Sequence, residues 1–277
     1  MASIASPFGT IPLQRICVVV LHAQNTDEML EETVASIERQ GYDNQLLSTY
    51  VIGAQPKGTY GHILWVEANV DSFPQKLYGV LDASDAQLFV MLHSGDTFFD
   101  STFRSVNDIF GSIDRIDWLT GIETLSTPSG YKVVHGNTST RRWSSHILRK
   151  NLYQSGYRYI PAGATFWRRT LWDKVKRELN FVSVGQVHAD LWQAFMPHAM
   201  LHPCDVYFSS TIAAEPQLAP SSYNAPLPIE KAWPYRLAEY LYLNNIPYLR
   251  SFYRYANALP QVVRFDHKTE SYFLSDY

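Results

Sequence analysis

The sequence predicts an α/β fold: a doubly wound, mixed but mostly parallel sheet, an antiparallel extension, and a helical C-terminal tail. Across the first hundred residues, short apolar runs alternate with segments of helical period, an order that implies parallel pairing and right-handed crossovers. Beyond Phe99 strand-like and helix-like segments mix, as they do where antiparallel strands extend a parallel sheet. After Glu215 the chain passes through APSSYNAPLP, a linker composition, into two aromatic helical segments. The expected units are therefore residues 1–215 and 216–277.

Each element has a local reason. Ile16 to Leu21, ICVVVL, is a β-branched run of the kind buried on both faces. Asn25 with Glu28 three positions on forms a capping-box pattern, and Leu30, Val34 and Ile37 recur at helical spacing until Gly41. Ser48 to Ile52 and His62 to Val66 read as strands separated by GAQPKGTYG. A helix is expected from Pro74 to Leu81, and a strand from Gln87 to Leu92 that ends at His93-Ser94-Gly95-Asp96. Further helices are expected at Ser101 to Phe110, Arg141 to Tyr153, Arg168 to Arg177 and His188 to Met196. Two short strands flank the Pro-Ser-Gly turn after Trp118-Leu119-Thr120-Gly121. LAEYLYL and YLRSFYRYA supply the helical tail.

Composition removes several function classes. With 277 residues, 46% hydrophobic and 18% charged, the chain can bury a sizeable core. Its net charge of −3 provides no basic footprint, so nucleic acid is not an expected partner. Cys17 and Cys204 lack metal-type spacing and read as free thiols of a reducing compartment. No leader pattern and no apolar run of about 18 residues occurs, so a cytoplasmic location is expected. The aromatic C-terminal segment adds a candidate contact with the inner membrane face or with a second copy, against the alternative of packing on the main unit. Phosphate loops, Gly-x-Ser-x-Gly elbows and His-Glu-x-x-His helices are all missing from the sequence.

Ligands of doubly wound sheets bind at the carboxyl ends of the strands. His22 to Asn25, Gly53 to Gly61 and His93 to Asp96 all fall at such ends and are expected to share one crevice. Asp96 has two readings, a cap for the following segment or a carboxylate that holds Mg2+ or Mn2+ against a nucleotide diphosphate. Gly95 would allow close backbone approach of the ligand.

The stretch FVMLHSGDTF resembles the strand and modified Asp-x-Asp region of family 2 glycosyltransferases, inverting enzymes of the GT-A fold. ICVVVLHAQNTDEMLEETVASIERQGY resembles their first strand and helix. DWLTGIETLSTPSG, RRW, IPAGATFWRRTLWDKV and HADLWQAF follow in the order of the family's later motifs, and the likeness covers about residues 14 to 215. The resemblance implies a Mn2+- or Mg2+-dependent transfer from a nucleoside-diphosphate sugar, such as a UDP-sugar, to a saccharide or lipid-linked hydroxyl in polysaccharide biosynthesis. It implies donor binding by His22, Gln24, Asn25, Gly53, Gln75, Ser94, Gly95 and Asp96, with Asp96 on the metal. It places Trp118, Gly121, Thr165, Trp167 and Arg168 on the acceptor or sugar side. An inverting transfer needs a general base, for which Asp190 is ranked first and His188 second. Trp118 and Trp167 also read as core residues, and Arg168 as a flank of the aromatic pair.

The sequence departs from the family's pattern in three places: Gly53-Ala54-Gln55-Pro56 replaces an acidic pair, Ser94 stands for the first acid of Asp-x-Asp, and His188 stands where a carboxylate is commoner. Two rivals therefore accompany the enzyme reading: a binding or scaffold protein that retained the fold, and a nucleotidyltransferase that would release pyrophosphate.

Overall fold

The computed structural model describes residues 11–22, 27–55, 62–69, 71–126, 132–134, 160–179, 181, 187–195, 198–199, 201–212 and 262–275. The expected helix at 141–153, the turn at 128–130 and the helical segments at 237–243 and 248–256 lie outside these residues.

The strands are β1 (Ile16–His22), β2 (Leu47–Gly53), β3 (Ile63–Glu67), β4 (Leu88–His93), β5 (Asp96–Phe98), β6 (Trp118–Ser126), β7 (Lys132–Val134), β8 (Thr165–Arg168), β9 (Leu201–Ile212), β10 (Val262–Asp266) and β11 (Ser271–Ser275). The helices are α1 (Asp27–Glu38), α2 (Phe73–Ala83), α3 (Thr102–Ser112), α4 (Arg169–Val175) and α5 (Val187–Phe195). One sheet runs in the order β11-β10-β9-β6-β8-β4-β1-β2-β3, with β5 beside β9 and β7 beside β6. β1, β2, β3 and β4 are parallel neighbours, and β8 enters antiparallel between β4 and β6. β6 again pairs parallel with β9. The doubly wound start and the antiparallel extension are both present.

Side chains alternate across the sheet with the strand period of two. Cys17, Val19 and Leu21 of β1, with Phe89 and Met91 of β4, face a core shared with α2, α4 and α5. Ile16, Val18 and Val20, with Leu88, Val90 and Leu92, face a second core formed with α1 and α3. Burial on both faces explains why β1 and β4 are continuous apolar runs rather than alternating ones.

The last described segment adds a strand pair beyond the two expected tail helices. Residues 262–275 form a hairpin, β10-β11, that joins the sheet beside β9 through the pair Val263 and Cys204. Its turn is held by Asp266, which accepts hydrogen bonds from the Lys268 N–H at 2.9 Å and the Thr269 hydroxyl at 2.9 Å.

Strand β8 was also unforeseen: the expected helix began at Arg168, which is instead the last residue of the strand. Arg168 and Arg169 mark the junction, and both are tied to the ends of neighbouring helices. Arg168 donates to the carbonyls of Ile116 at 2.7 Å and Phe110 at 2.6 Å, beyond and within the last turn of α3. Arg169 donates to the carbonyls of Leu81, Asp82 and Ser84 around the end of α2. Cations at helix C-termini satisfy carbonyls left without an intrahelical partner.

Candidate functional site

The carboxyl ends of β1, β2 and β4 are brought together by register. His22 pairs with Gly53, and Leu21 pairs with His93. The three strand ends expected to share one crevice are therefore adjacent in the sheet. Gln24 and Asn25 lie outside the described residues, while Gln75 is exposed in the first turn of α2, just past the carboxyl end of β3.

The turn after β4 is tightly built. Ser94 donates its N–H to the Leu21 carbonyl at 3.2 Å, and its hydroxyl lies 2.9 Å from His22 Nδ1. His22 is buried, packs edge-on against Trp65, and has Asp27 3.9 Å from its Nε2. Burial lowers its pKa, a shift that the Asp27 carboxylate opposes. Gly95 has φ +100°, and a Cβ there would come within 2.6 Å of the Met29 side chain. Its N–H is bound by the Thr33 hydroxyl at 2.8 Å, so the glycine serves the close fit of α1 over the turn.

Asp96 is 5% exposed, and both of its oxygens are engaged. The His93 N–H donates to Oδ2 at 2.8 Å and the Thr211 hydroxyl to Oδ1 at 2.8 Å. The expected cap of the following segment is therefore not what Asp96 provides: its carboxylate closes the turn behind it onto β4. Burial pushes its pKa up, against the pull of His93 and these hydrogen bonds.

A second acid was missed in the sequence. Glu123 of β6 is 6% exposed and accepts a hydrogen bond from the Ser209 hydroxyl at 3.4 Å. Its pKa is pushed up to about 8 by burial first and by the Asp96 charge second, while Thr211 and Ser209 pull it down. The available signal was one carboxylate inside the otherwise weakly polar run WLTGIETLS. Between its ordinary value of 4.5 and about 8, the folded state keeps a proton that the unfolded chain releases. Stability from this group is complete below 4.5 and is lost as pH rises towards 8. His93 and His188 have lowered pKa values, so they weaken the fold only as pH falls below 6.5. Glu123→Gln is therefore expected to unfold at progressively higher temperature than wild type as pH rises from 6.5 to 8.5. A constant difference across that interval would refute the assignment.

His93 ends β4 and His188 begins α5, with ring centroids 5.0 Å apart and a 47° tilt. Burial lowers both pKa values, and the charge of His93 adds to the effect on His188. His188 Nε2 has no solvent contact and no hydrogen-bond partner among the described residues. Asp190 is half-buried two residues further along the same helix.

The acceptor-side expectations need correction. Trp118 and Trp167 are 1% and 0% exposed and pack with Phe89, Trp192 and Phe195, so neither reaches a ligand. Thr165 is fully buried and donates to the Pro161 carbonyl or to Thr120. At Gly121 a Cβ would sit 2.3 Å from the Phe208 ring, so the missing side chain makes room for that ring. Arg168 pairs with Leu88, at the end of β4 opposite His93, and cannot serve the strand-end crevice.

Among the described residues no three His, Cys, Asp or Glu side chains converge as a metal cage. Asp96 and its surroundings fit a hard cation only in the mode where one or two carboxylates hold it and phosphate oxygens and water complete the shell.

No family model and no curated protein matches the sequence. Solved structures do. Residues 1–349 of S. aureus TarS superpose with a TM-score of 0.54 at 10% identity, covering 72% of this chain and 60% of that one. The same fragment in complex with UDP-GlcNAc gives 0.54 at 12% identity, covering 83% and 65%. The chain thus spans less than two thirds of those structures. At such identities the likeness concerns the fold, and it agrees with the sheet order above: the chain has a mixed α/β, GT-A-like fold.

Proposed function

We propose that the protein is a glycosyltransferase of the inverting, family 2 type that moves a sugar from a nucleoside-diphosphate donor to a hydroxyl acceptor in polysaccharide assembly. The observation that carries this reading is the convergence of His22, Gly53, His93 and Asp96 at adjacent strand ends of a GT-A-like fold. A fold-level likeness to a fragment crystallised with UDP-GlcNAc supports a UDP-sugar as donor.

In this reading the nucleotide lies over the ends of β1 and β2, where His22 is held by Ser94. Asp96 would hold Mn2+ or Mg2+ with the donor's phosphates, and the ion when bound would offset charge on the leaving diphosphate. The turn fixes the Asp96 carboxylate from two sides. α5 borders the same strand end through His188 and supplies the proton acceptor.

Titration calorimetry with UDP-GlcNAc and GDP-sugars in the presence of Mn2+ tests the proposal. UDP-GlcNAc binding weakened about tenfold or more by Asp96→Ala is expected, in the range for loss of a charged contact. The absence of heat with every donor, together with wild-type behaviour of Asp96→Ala, would remove it.

One observation favours the rival of a binding protein without turnover: Asp96 is buried with both oxygens already engaged. Donor binding without release of nucleoside diphosphate over a broad acceptor panel would establish that rival, and release of pyrophosphate would indicate nucleotidyl transfer. No helix among the described residues is long and apolar enough to cross a membrane. Peripheral membrane attachment or self-association through 229–277 remains part of the proposal, and flotation and sedimentation of a truncated chain test it.

A further inference from the structure

We propose that His188, not Asp190, is the general base of the transfer step, and that His93 is the positioning residue that holds its ring. This rests on the glycosyltransferase reading above.

Helical phase separates the two candidates. Successive residues advance about 100°, so positions 188 and 190 lie about 200° apart and cannot face the same strand end. Val187, Leu191, Trp192 and Phe195 are buried against the sheet and define the inward face of α5. His188 belongs to that face, with its ring 5.0 Å from His93 and 6.0 Å from Trp192. Asp190 falls outside it.

Nitrogen Nε2 of His188 is the second observation. It has neither water contact nor a hydrogen-bond partner among the described residues. A buried polar atom left in that state costs about 1–3 kcal/mol, and a catalytic role is one of the reasons for which a structure keeps one. An acceptor hydroxyl supplies the missing donor. The residue as a whole is part-buried.

His93 is suited to hold the ring because it is itself fixed. Its N–H is bound by Asp96 at 2.8 Å, which places the imidazole at the last position of β4. The same turn that sets Asp96 on the donor side therefore sets the platform for the base.

The step balances as follows. The acceptor O–H gives its proton to Nε2 of neutral His188, in the tautomer with a proton on Nδ1, while the oxygen forms a bond to the anomeric carbon. The bond from that carbon to the diphosphate oxygen breaks, and its electron pair leaves with the nucleoside diphosphate. The products are the glycoside, the nucleoside diphosphate and an imidazolium, which returns its proton to water. Burial holds the resting imidazole neutral, and the negative diphosphate raises its proton affinity once the donor is bound.

The test measures UDP release from UDP-GlcNAc alongside UDP-GlcNAc affinity in the intact chain. His188→Gln is expected to lower kcat by about 10²- to 10⁴-fold with donor affinity within about threefold of wild type. His188→Ala should recover turnover when imidazole is added, a response that a merely structural histidine would not give. His93→Ala should lower kcat about tenfold and His93→Phe should restore most of it, because the ring face is retained. Asp190→Asn should stay within about threefold of wild type. The inference falls if His188→Gln turns over like wild type, or if Asp190→Asn shows the large loss. A wild-type protein that binds no donor and releases no UDP overturns the functional reading first, and this inference with it.

Discussion

Replacing Trp167 with alanine is expected to remove about 3–5 kcal/mol of folding stability, the range for deleting a large buried aromatic. Trp167 is completely buried, stacks on Phe89 at 6.0 Å with a 15° interplanar angle, and meets Trp192 and Phe195 at 5.6 and 5.7 Å. It also joins β4 to β6 through β8, since it pairs with Phe89 on one side and Trp118 on the other. The truncation would thus open a cavity where the sheet changes direction and where α4 and α5 rest. Domains are stable by only about 5–15 kcal/mol, so such a loss takes a large part of the total. Trp167→Phe should cost less than area alone suggests, because the indole N–H has no partner among the described residues and phenylalanine has no such donor. Urea unfolding of the two variants checks both statements. A loss below about 1 kcal/mol for the alanine variant would contradict the core assignment.

Gly53→Ala is expected to be the most damaging single methyl in the strand-end crevice. Gly53 has φ +154°, and a Cβ built on it would lie 1.9 Å from the His22 carbonyl oxygen and 2.7 Å from the His22 carbonyl carbon. These are backbone atoms of the neighbouring strand, so no rotamer change relieves the contact. The pair His22 and Gly53 closes the β1-β2 ladder, and its separation would displace the imidazole that Ser94 holds. A loss of about 1–3 kcal/mol in stability follows from overpacking of this kind. UDP-GlcNAc affinity should fall along with it. Thermal unfolding and donor titration on the same sample are the measurements; wild-type values for both would show that β1 and β2 do not meet there as described.

Much of the fold was legible because β1, β4 and α1 carry their structure in local pattern. ICVVVL and LFVML are buried on both sides, and Leu30, Val34 and Ile37 repeat at the helical period. Other elements were hidden. β9 carries Pro203 and Asp205, and its register against β6 shifts twice between Thr120 and Glu123, so its alternation is interrupted where a periodic reading needs it. β8 is four residues long and runs directly into α4, which leaves no boundary residue to separate strand from helix. The hairpin β10-β11 follows aromatic segments of helical period, and only its pairing with β9 at Cys204 makes it part of the sheet.

By itself, the sequence determined the doubly wound half of the sheet and the location of its strand ends, because both depend on periodicity and on glycine and polar residues that follow apolar runs. It also named His22, Gly53, Asp96 and His188 as residues of interest. Only the tertiary structure decided what those residues meet. Trp118, Trp167 and Arg168 left the list of ligand contacts because β8 turns them into core and into a tie for α3 at the far end of β4. Glu123 entered the site, and His93 acquired its partner, because residues distant along the chain converge: Thr211 and Asp96 across β5-β9, Ser209 and Glu123 across β6-β9, and His188 and His93 where α5 meets the end of β4. Local pattern sets which face of an element is buried. The partner on that face, and therefore the burial and charge that give Glu123 a pKa of about 8 and leave His188 Nε2 without a donor, is fixed only when the strands are placed in register.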